Sequence, residues 1–73
     1  MTNEQLAADL KAARERAAEG ELAVTVHLFG IERAEELKGR NLREIATLAG
    51  ISPNYGTELS KGVKLASYVQ LKK

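Results

Sequence analysis

Residues 42–61 read LREIATLAGISPNYGTELSK, and this stretch is the most informative part of the sequence. Apolar residues at helical spacing predict a first helix over 41–48, with Asn41 in a position to cap it. Gly50 then breaks the pattern, because glycine adopts turn conformations at little cost. The Ser-Pro pair at 52–53 is typical of a helix start, since serine caps a helix and proline fits its first turn. We therefore predict two short helices joined by a tight turn.

The glycines divide the whole chain into short segments. All but Gly56 stand about ten residues apart, a spacing that predicts short helices closed by a left-handed glycine. The helix that starts at Ser52 is thus predicted to reach Lys61 and to be closed by Gly62. A further short helix is predicted over 31–37.

The N-terminal segment predicts a helix over 2–19. Thr2 and Gln5 stand at the spacing of a capping box, in which each side chain bonds to the backbone of the other residue. Leu6 and Leu10 then fall on one helical face.

Two segments leave alternatives open. ELAVTVHLF at 21–29 fits either a strand or a helix, because its β-branched residues favour a strand while its length and apolar run fit a buried helix. A strand needs a partner, and the only other β-rich run is 68–71. We therefore favour a helix that is apolar nearly all round and central to the core. Residues 63–73 are either a last helix or a short C-terminal strand or extended tail.

Composition narrows the class of protein. The 73 residues, 44% hydrophobic and 29% charged, predict one small globular domain over 1–73. Together with the helical segments above, this predicts an all-α compact bundle of four to five short helices. With no Cys and one His, we expect no disulfide, metal or other cofactor, and the absence of nucleophile and phosphate-loop motifs predicts no enzyme. No apolar run approaches the roughly 20 residues of a membrane span, and the N-terminus lacks a signal pattern, so we expect a cytoplasmic protein.

Charge is distributed unevenly along the chain. Residues 1–37 carry four basic and eight acidic side chains, a net charge of −4, and residues 38–73 carry seven basic and two acidic ones, a net charge of +5. The basic half is a candidate surface for phosphates or an acidic partner. The alternative is a solvated surface whose asymmetry has no function.

Residues 42–61 resemble the bacterial helix-turn-helix motif. In this resemblance Ala46 stands where the two helices touch, and Gly50 is the glycine of the turn. The resemblance implies a structural set made of Ile45, Ala46, Gly50, Ile51, Pro53, Gly56 and Leu59.

Gly56 departs from the motif, which usually offers an apolar side chain to the core at this position. Two explanations are open: either a neighbouring backbone approaches Gly56 closely, or the second helix bends there. Tyr55 is in a position to fill the space.

The stretches HLFGIERAEEL at 27–37 and ISPNYGTELSKGVKLASYVQL at 51–71 resemble a family of small bacterial proteins called HTH-like domain proteins. This resemblance implies a compact helical domain that contains a helix-turn-helix and binds DNA.

The second helix of such a motif lies in the major groove. On this chain the base-contact candidates are Ser52, Asn54, Thr57, Glu58 and Lys61, and the phosphate-contact candidates are Lys38, Arg40, Arg43 and Lys64.

Several of these candidates also fit a structural role. Asn54 can complete the helix start, and Lys61 can stabilise the end of the helix dipole. Arg40 and Arg43 can belong to a solvated face. His27 and the two tyrosines fit the core or its edge better than a ligand or stacking site.

Two functions follow from these residues. The first is a DNA-binding helix-turn-helix module, a transcriptional regulator or DNA-associated accessory protein, that binds double-stranded DNA as a homodimer or with a partner protein. The alternative is a protein–protein interaction module that keeps the helix-turn-helix shape without DNA. The near-zero net charge, Gly56 and Glu58 favour this alternative.

Overall fold

The computed structural model describes residues 1–69, and over this range the protein consists of five helices without a strand. The all-α bundle predicted from the sequence is therefore confirmed. The helices, in chain order, are α1 (Asn3–Arg16), α2 (Leu22–Glu32), α3 (Ala34–Leu37), α4 (Leu42–Leu48) and α5 (Tyr55–Leu65).

The predicted caps start two of these helices. Thr2 Oγ1 accepts a hydrogen bond from the Gln5 backbone N–H at 3.1 Å, and Gln5 Oε1 accepts one from the Thr2 N–H at 2.8 Å, which completes the capping box of α1. The Asn41 side chain accepts from the Glu44 N–H at 3.1 Å and starts α4 in the same way. Each cap satisfies backbone donors that the first turn of a helix leaves unpaired.

The ambiguous segment 21–29 forms most of α2, so the preference for a helix is confirmed. The prediction that this helix is central to the core on all sides is wrong. Val26 and Phe29 are buried, but Val24 and Leu28 are exposed to 53% and 45%. One side of α2 thus presents apolar side chains to solvent.

The core lies where α1, α2, α4 and α5 meet. Its fully buried large side chains come from every helix, so all five helices share one core. They are Leu6, Leu10, Val26, Leu37, Ile45 and Leu59.

The glycines fall into two groups of three. Gly20, Gly39 and Gly50 have φ near +80° and lie in the turns after α1, α3 and α4, as the spacing predicted. Gly30, Gly56 and Gly62 lie inside helices and are buried, so the prediction that Gly30 and Gly62 close helices is wrong.

Gly30 and Gly62 mark the point where α2 crosses α5. A Cβ atom on Gly62 would lie 2.5 Å from the His27 carbonyl oxygen, and one on Gly30 would lie 2.7 Å from the Leu59 carbonyl oxygen. These glycines are needed because the two backbones touch.

Residues 63–65 continue α5 instead of forming a separate helix, and a turn follows to Tyr68. The expected strand or tail lies, from residue 70 onward, outside the described residues. Within residues 1–69, each helix is too short or too polar to span a bilayer.

Candidate nucleic-acid interface

Helices α4 and α5 pack against each other through Gly56. A Cβ atom on Gly56 would lie 2.9 Å from both the backbone nitrogen and the Cγ atom of Arg43. Of the two explanations for Gly56, the close approach of a neighbouring backbone is therefore the one that the structure supports. Ala46, in the last turn of α4, and Ala49, which follows that helix, are fully buried as well.

The turn between α4 and α5 is held by backbone hydrogen bonds. Gly50 has φ +82°, and the Ile51 N–H donates to the Ala46 carbonyl at 3.1 Å. Ile51 turns its side chain into the core. The relative placement of the two helices is thus set by the turn and by the core.

The start of α5 is tighter than the sequence suggests. Ser52 Oγ accepts from the Asn54 N–H at 3.2 Å, as a capping serine does, but the next N–H groups, from Tyr55 to Thr57, donate to carbonyls three residues earlier. Such bonds form a 3₁₀-like turn. The α-helix itself begins at Tyr55, three residues after the predicted start at Ser52.

Four polar side chains form a stripe along α5. Asn54, Thr57, Lys61 and Lys64 are all exposed, and their spacing of three, four and three residues places them on one face. The opposite face holds the buried Leu59. We call these four residues the α5 stripe.

Tyr68 lies one turn beyond Lys64 and is 83% exposed. The expectation that Tyr68 forms an edge of the core is wrong, whereas Tyr55 is half-buried against the core as expected. Tyr68 follows Lys64 at the helical spacing of the stripe, and this spacing could have predicted from the sequence that Tyr68 is exposed.

Glu58, one of the base-contact candidates, is partly buried and does not lie on the exposed face of α5. Its Oε1 lies 2.7 Å from His27 Nε2 on α2, and its Oε2 lies 3.2 Å from Lys61 Nζ. The hydrogen bond from His27, followed by the one from Lys61, lowers the pKa of Glu58 below its ordinary value. The carboxylate is therefore occupied within the protein.

Arg40 is also used within the fold and does not lie free for phosphate. Its guanidinium donates to the Glu36 carbonyl at 2.5 Å, to Asn3 Oδ1 at 2.8 Å and to the Met1 carbonyl. Asn3 in turn donates to Glu44 Oε2 at 2.5 Å. We call these side chains, Asn3, Arg40 and Glu44, the N-terminal network, because they tie the start of α1 to α4.

The remaining candidates are accessible. Ser52, Lys38, Arg43 and Lys64 are exposed, and Lys38 borders a groove of about 300 Å³ whose other wall is the C-terminal end of α5. Within residues 1–69 no group of three or more His, Asp or Glu side chains could hold a metal ion.

These features define an all-α domain with a helix-turn-helix unit at α4 and α5. The model of the HTH-like domain family matches residues 2–72, and the chain belongs to that family. Neither a curated protein nor a solved structure matches the chain significantly.

Proposed function

We propose that the domain binds double-stranded DNA and inserts α5 into the major groove. The observation that carries this proposal is the α5 stripe, a row of four exposed polar and basic side chains on the second helix of a helix-turn-helix unit. An α-helix fits the major groove of B-DNA, and the side chains that face outward meet the base edges.

The four side chains of the α5 stripe differ in the groups that they can bind on DNA. Asn54 makes no capping hydrogen bond, because Ser52 caps the turn in its place. Its amide is therefore available to pair with adenine, and Thr57 one turn later can meet a thymine methyl group. Lys61 and Lys64 follow toward the C-terminal end of the helix, where they contact phosphates.

Basic side chains on either side of α5 favour the binding of phosphates there. Arg43 is exposed on α4 beside α5, and Lys38 lies at the other end of α5. The one acidic side chain of α5, Glu58, forms an ion pair with Lys61 and a hydrogen bond with His27, which reduces its repulsion of phosphate. A DNA-binding role of this kind needs no catalytic group or cofactor, and it fits a cytoplasmic transcriptional regulator or DNA-associated accessory protein.

A salt series on duplex DNA tests the proposal. Lys61→Ala combined with Lys64→Ala should weaken binding to all duplexes and lower the salt slope by up to about 2, or one unit per lost phosphate contact. Lys11→Ala, an exposed lysine on α1, is the matched control and should leave the slope unchanged. Equal effects of the two variants would contradict the assignment of the stripe.

Base recognition needs a separate measurement. A preferred duplex is first selected from a random pool, and Asn54→Ala is then compared on that duplex and on a scrambled one. We expect a loss of about 1–3 kcal/mol on the preferred duplex alone. An equal loss on both duplexes would make Asn54 a phosphate contact.

A second candidate is a protein-interaction module that keeps the helix-turn-helix shape. The exposed Tyr68 and Leu65 beside the stripe favour it, because exposed aromatic and aliphatic residues are typical of protein interfaces. An NMR titration distinguishes the two functions. Amide shifts in residues 38–64 on addition of random duplex DNA at low salt support DNA binding, and their absence favours a protein partner.

A further inference from the structure

The outer side of α2 is apolar where a surface helix is normally polar. Residues 22–31 include no Asp, Glu, Lys or Arg, and Val24 and Leu28 stand one turn apart with about half of each side chain exposed. Leu28 also borders a groove between α1 and α2 of about 210 Å³. We call this surface the α1–α2 face.

Small and apolar side chains line the groove, and four charged side chains form its rim. Ala12 and Ala13 of α1 and Phe29 of α2 belong to the lining, and the Arg33 guanidinium lies over the Phe29 ring, 5.5 Å from its centroid. The space is suited to an aliphatic side chain from another molecule, since adding a buried methylene group is worth about 0.8 kcal/mol.

The charged side chains on the rim of the groove indicate what kind of molecule docks there. Asp9 and Arg33 pair with each other at 2.9 Å, whereas Arg16 and Glu32 remain on opposite helices of the groove. Within residues 1–69 Arg16 forms no ion pair, and Glu32 has only a 3.4 Å contact with Arg33 next to it. A rim of one sign would select an oppositely charged partner, but a balanced rim complements its own copy.

We infer that a second copy of this chain docks on the α1–α2 face to form a two-fold dimer. Because Leu28 borders the groove, a two-fold axis beside α2 brings Leu28 of each copy to the groove of the other. The same axis brings Arg16 of each copy to Glu32 of its partner.

The size of the α1–α2 face is consistent with a dimer interface. A standard interface buries about 800 Å² on each partner, which is about one sixth of the 4869 Å² surface of this protein. Such an area requires a whole face of the molecule, and two adjacent helices of 14 and 11 residues provide one.

Sedimentation equilibrium without DNA tests the dimer independently of the proposed DNA binding. We expect the wild type to dimerise with increasing concentration and Leu28→Glu to raise the dimer Kd at least about tenfold. Leu48→Glu is the matched control, because Leu48 on α4 is 49% exposed against 45% for Leu28. A wild type that stays monomeric up to about 1 mM, or an equal effect of both variants, would overturn the inference.

A charge exchange tests the two-fold contact itself. Arg16→Glu and Glu32→Arg should each raise the Kd several-fold, and the double variant should restore it, because the pair is re-formed with its signs reversed. A double variant weaker than either single variant would overturn the contact. Circular dichroism verifies that each variant retains its helices.

Cross-linking supplies a third measurement. The chain has no cysteine, so Val24→Cys places the only thiol on the α1–α2 face. Mild oxidation should link two copies of this variant, whereas Leu48→Cys should stay monomeric at the same concentration. Linking of the control alone would overturn the inference.

Discussion

The contact between α2 and α5 is built differently from the contact between α1 and α4. At the crossing of α2 and α5 the backbones meet at Gly30 and Gly62, with no side chain between them. α1 and α4, by contrast, meet through side chains, since Leu6 and Leu10 of α1 are fully buried and the N-terminal network links the start of α1 to Glu44 of α4. The first contact is sensitive to an added methyl group, and the second to a lost side chain.

The largest effect is expected from an added methyl group at the crossing. Gly62→Ala should destabilise the protein by about 3 kcal/mol, because a Cβ atom 2.5 Å from the His27 carbonyl oxygen forces the helices apart. Urea unfolding measures the change.

Gly20→Ala is the matched control for this prediction. Its φ is +80°, but nothing lies within 4 Å of the added atom, so only backbone strain of about 1 kcal/mol opposes it. If both variants lost the same stability, the close crossing would have no special role.

Removal of one side chain from the N-terminal network should have the next largest effect. Arg40→Ala removes three hydrogen bonds to a charged group and leaves partly buried acceptors, at an expected cost of about 2 kcal/mol. Arg14→Ala, an exposed arginine on α1, should be nearly neutral.

Arg40 also distinguishes a structural role from a phosphate contact. The salt slope of duplex binding should be unchanged in Arg40→Ala, measured where the variant is fully folded. A slope lowered by about one unit would show that Arg40 contacts phosphate as well.

Gly56 is an intermediate case, since it packs partly on a backbone and partly on a flexible side chain. From the sequence alone Gly56→Ala is expected to be mild or even stabilising, because alanine favours a helix. With the Arg43 nitrogen 2.9 Å from the new atom, we instead expect a loss of about 1 kcal/mol, measured by urea unfolding. A gain in stability would show that α4 yields at this point.

The smallest effect is expected from the polar pair beside the crossing. The pKa of Glu58 is lower in the folded protein than its ordinary value of 4.5. The stability that this shift contributes is therefore present above the ordinary value and is lost as the pH falls through the lowered pKa. Glu58→Gln should abolish this acid dependence in thermal melts.

Substitution of the histidine separates the two causes of that shift. His27→Ala should raise the pKa of Glu58 toward its ordinary value, as an NMR titration of the carboxylate would show, while Lys61 still lowers it in part. An unchanged pKa would assign the shift to Lys61 alone.

Local signals in the sequence predicted the helices well. The capping box at Thr2, the cap at Asn41 and the turn at Gly50 each depend on residues within five positions of one another, so the chain specifies them without tertiary contacts. The buried positions of α1 and α4 follow from helical spacing for the same reason.

The candidate site was predicted less completely. Asn54, Thr57 and Lys61 are exposed together on α5, as expected for a second helix of this motif. In the sequence, Arg40 and Glu58 cannot be distinguished from free charged residues on the surface. The structure shows that Arg40 bonds to Asn3, 37 residues away, and that Glu58 bonds to His27, 31 residues away.

The sequence alone was sufficient to predict the caps at Thr2 and Asn41, the turn at Gly50 and a helix-turn-helix unit at α4 and α5, whereas the start of α5 and the exposed side of α2 became clear only in the structure. Only the tertiary structure decided what each glycine does. Gly20 and Gly62 are the same type of residue, but Gly20 has a positive φ in a turn, whereas Gly62 lets the backbones of α2 and α5 meet. The physical reason is that a turn is a local property of the backbone, whereas a helix crossing depends on a partner that is distant in sequence.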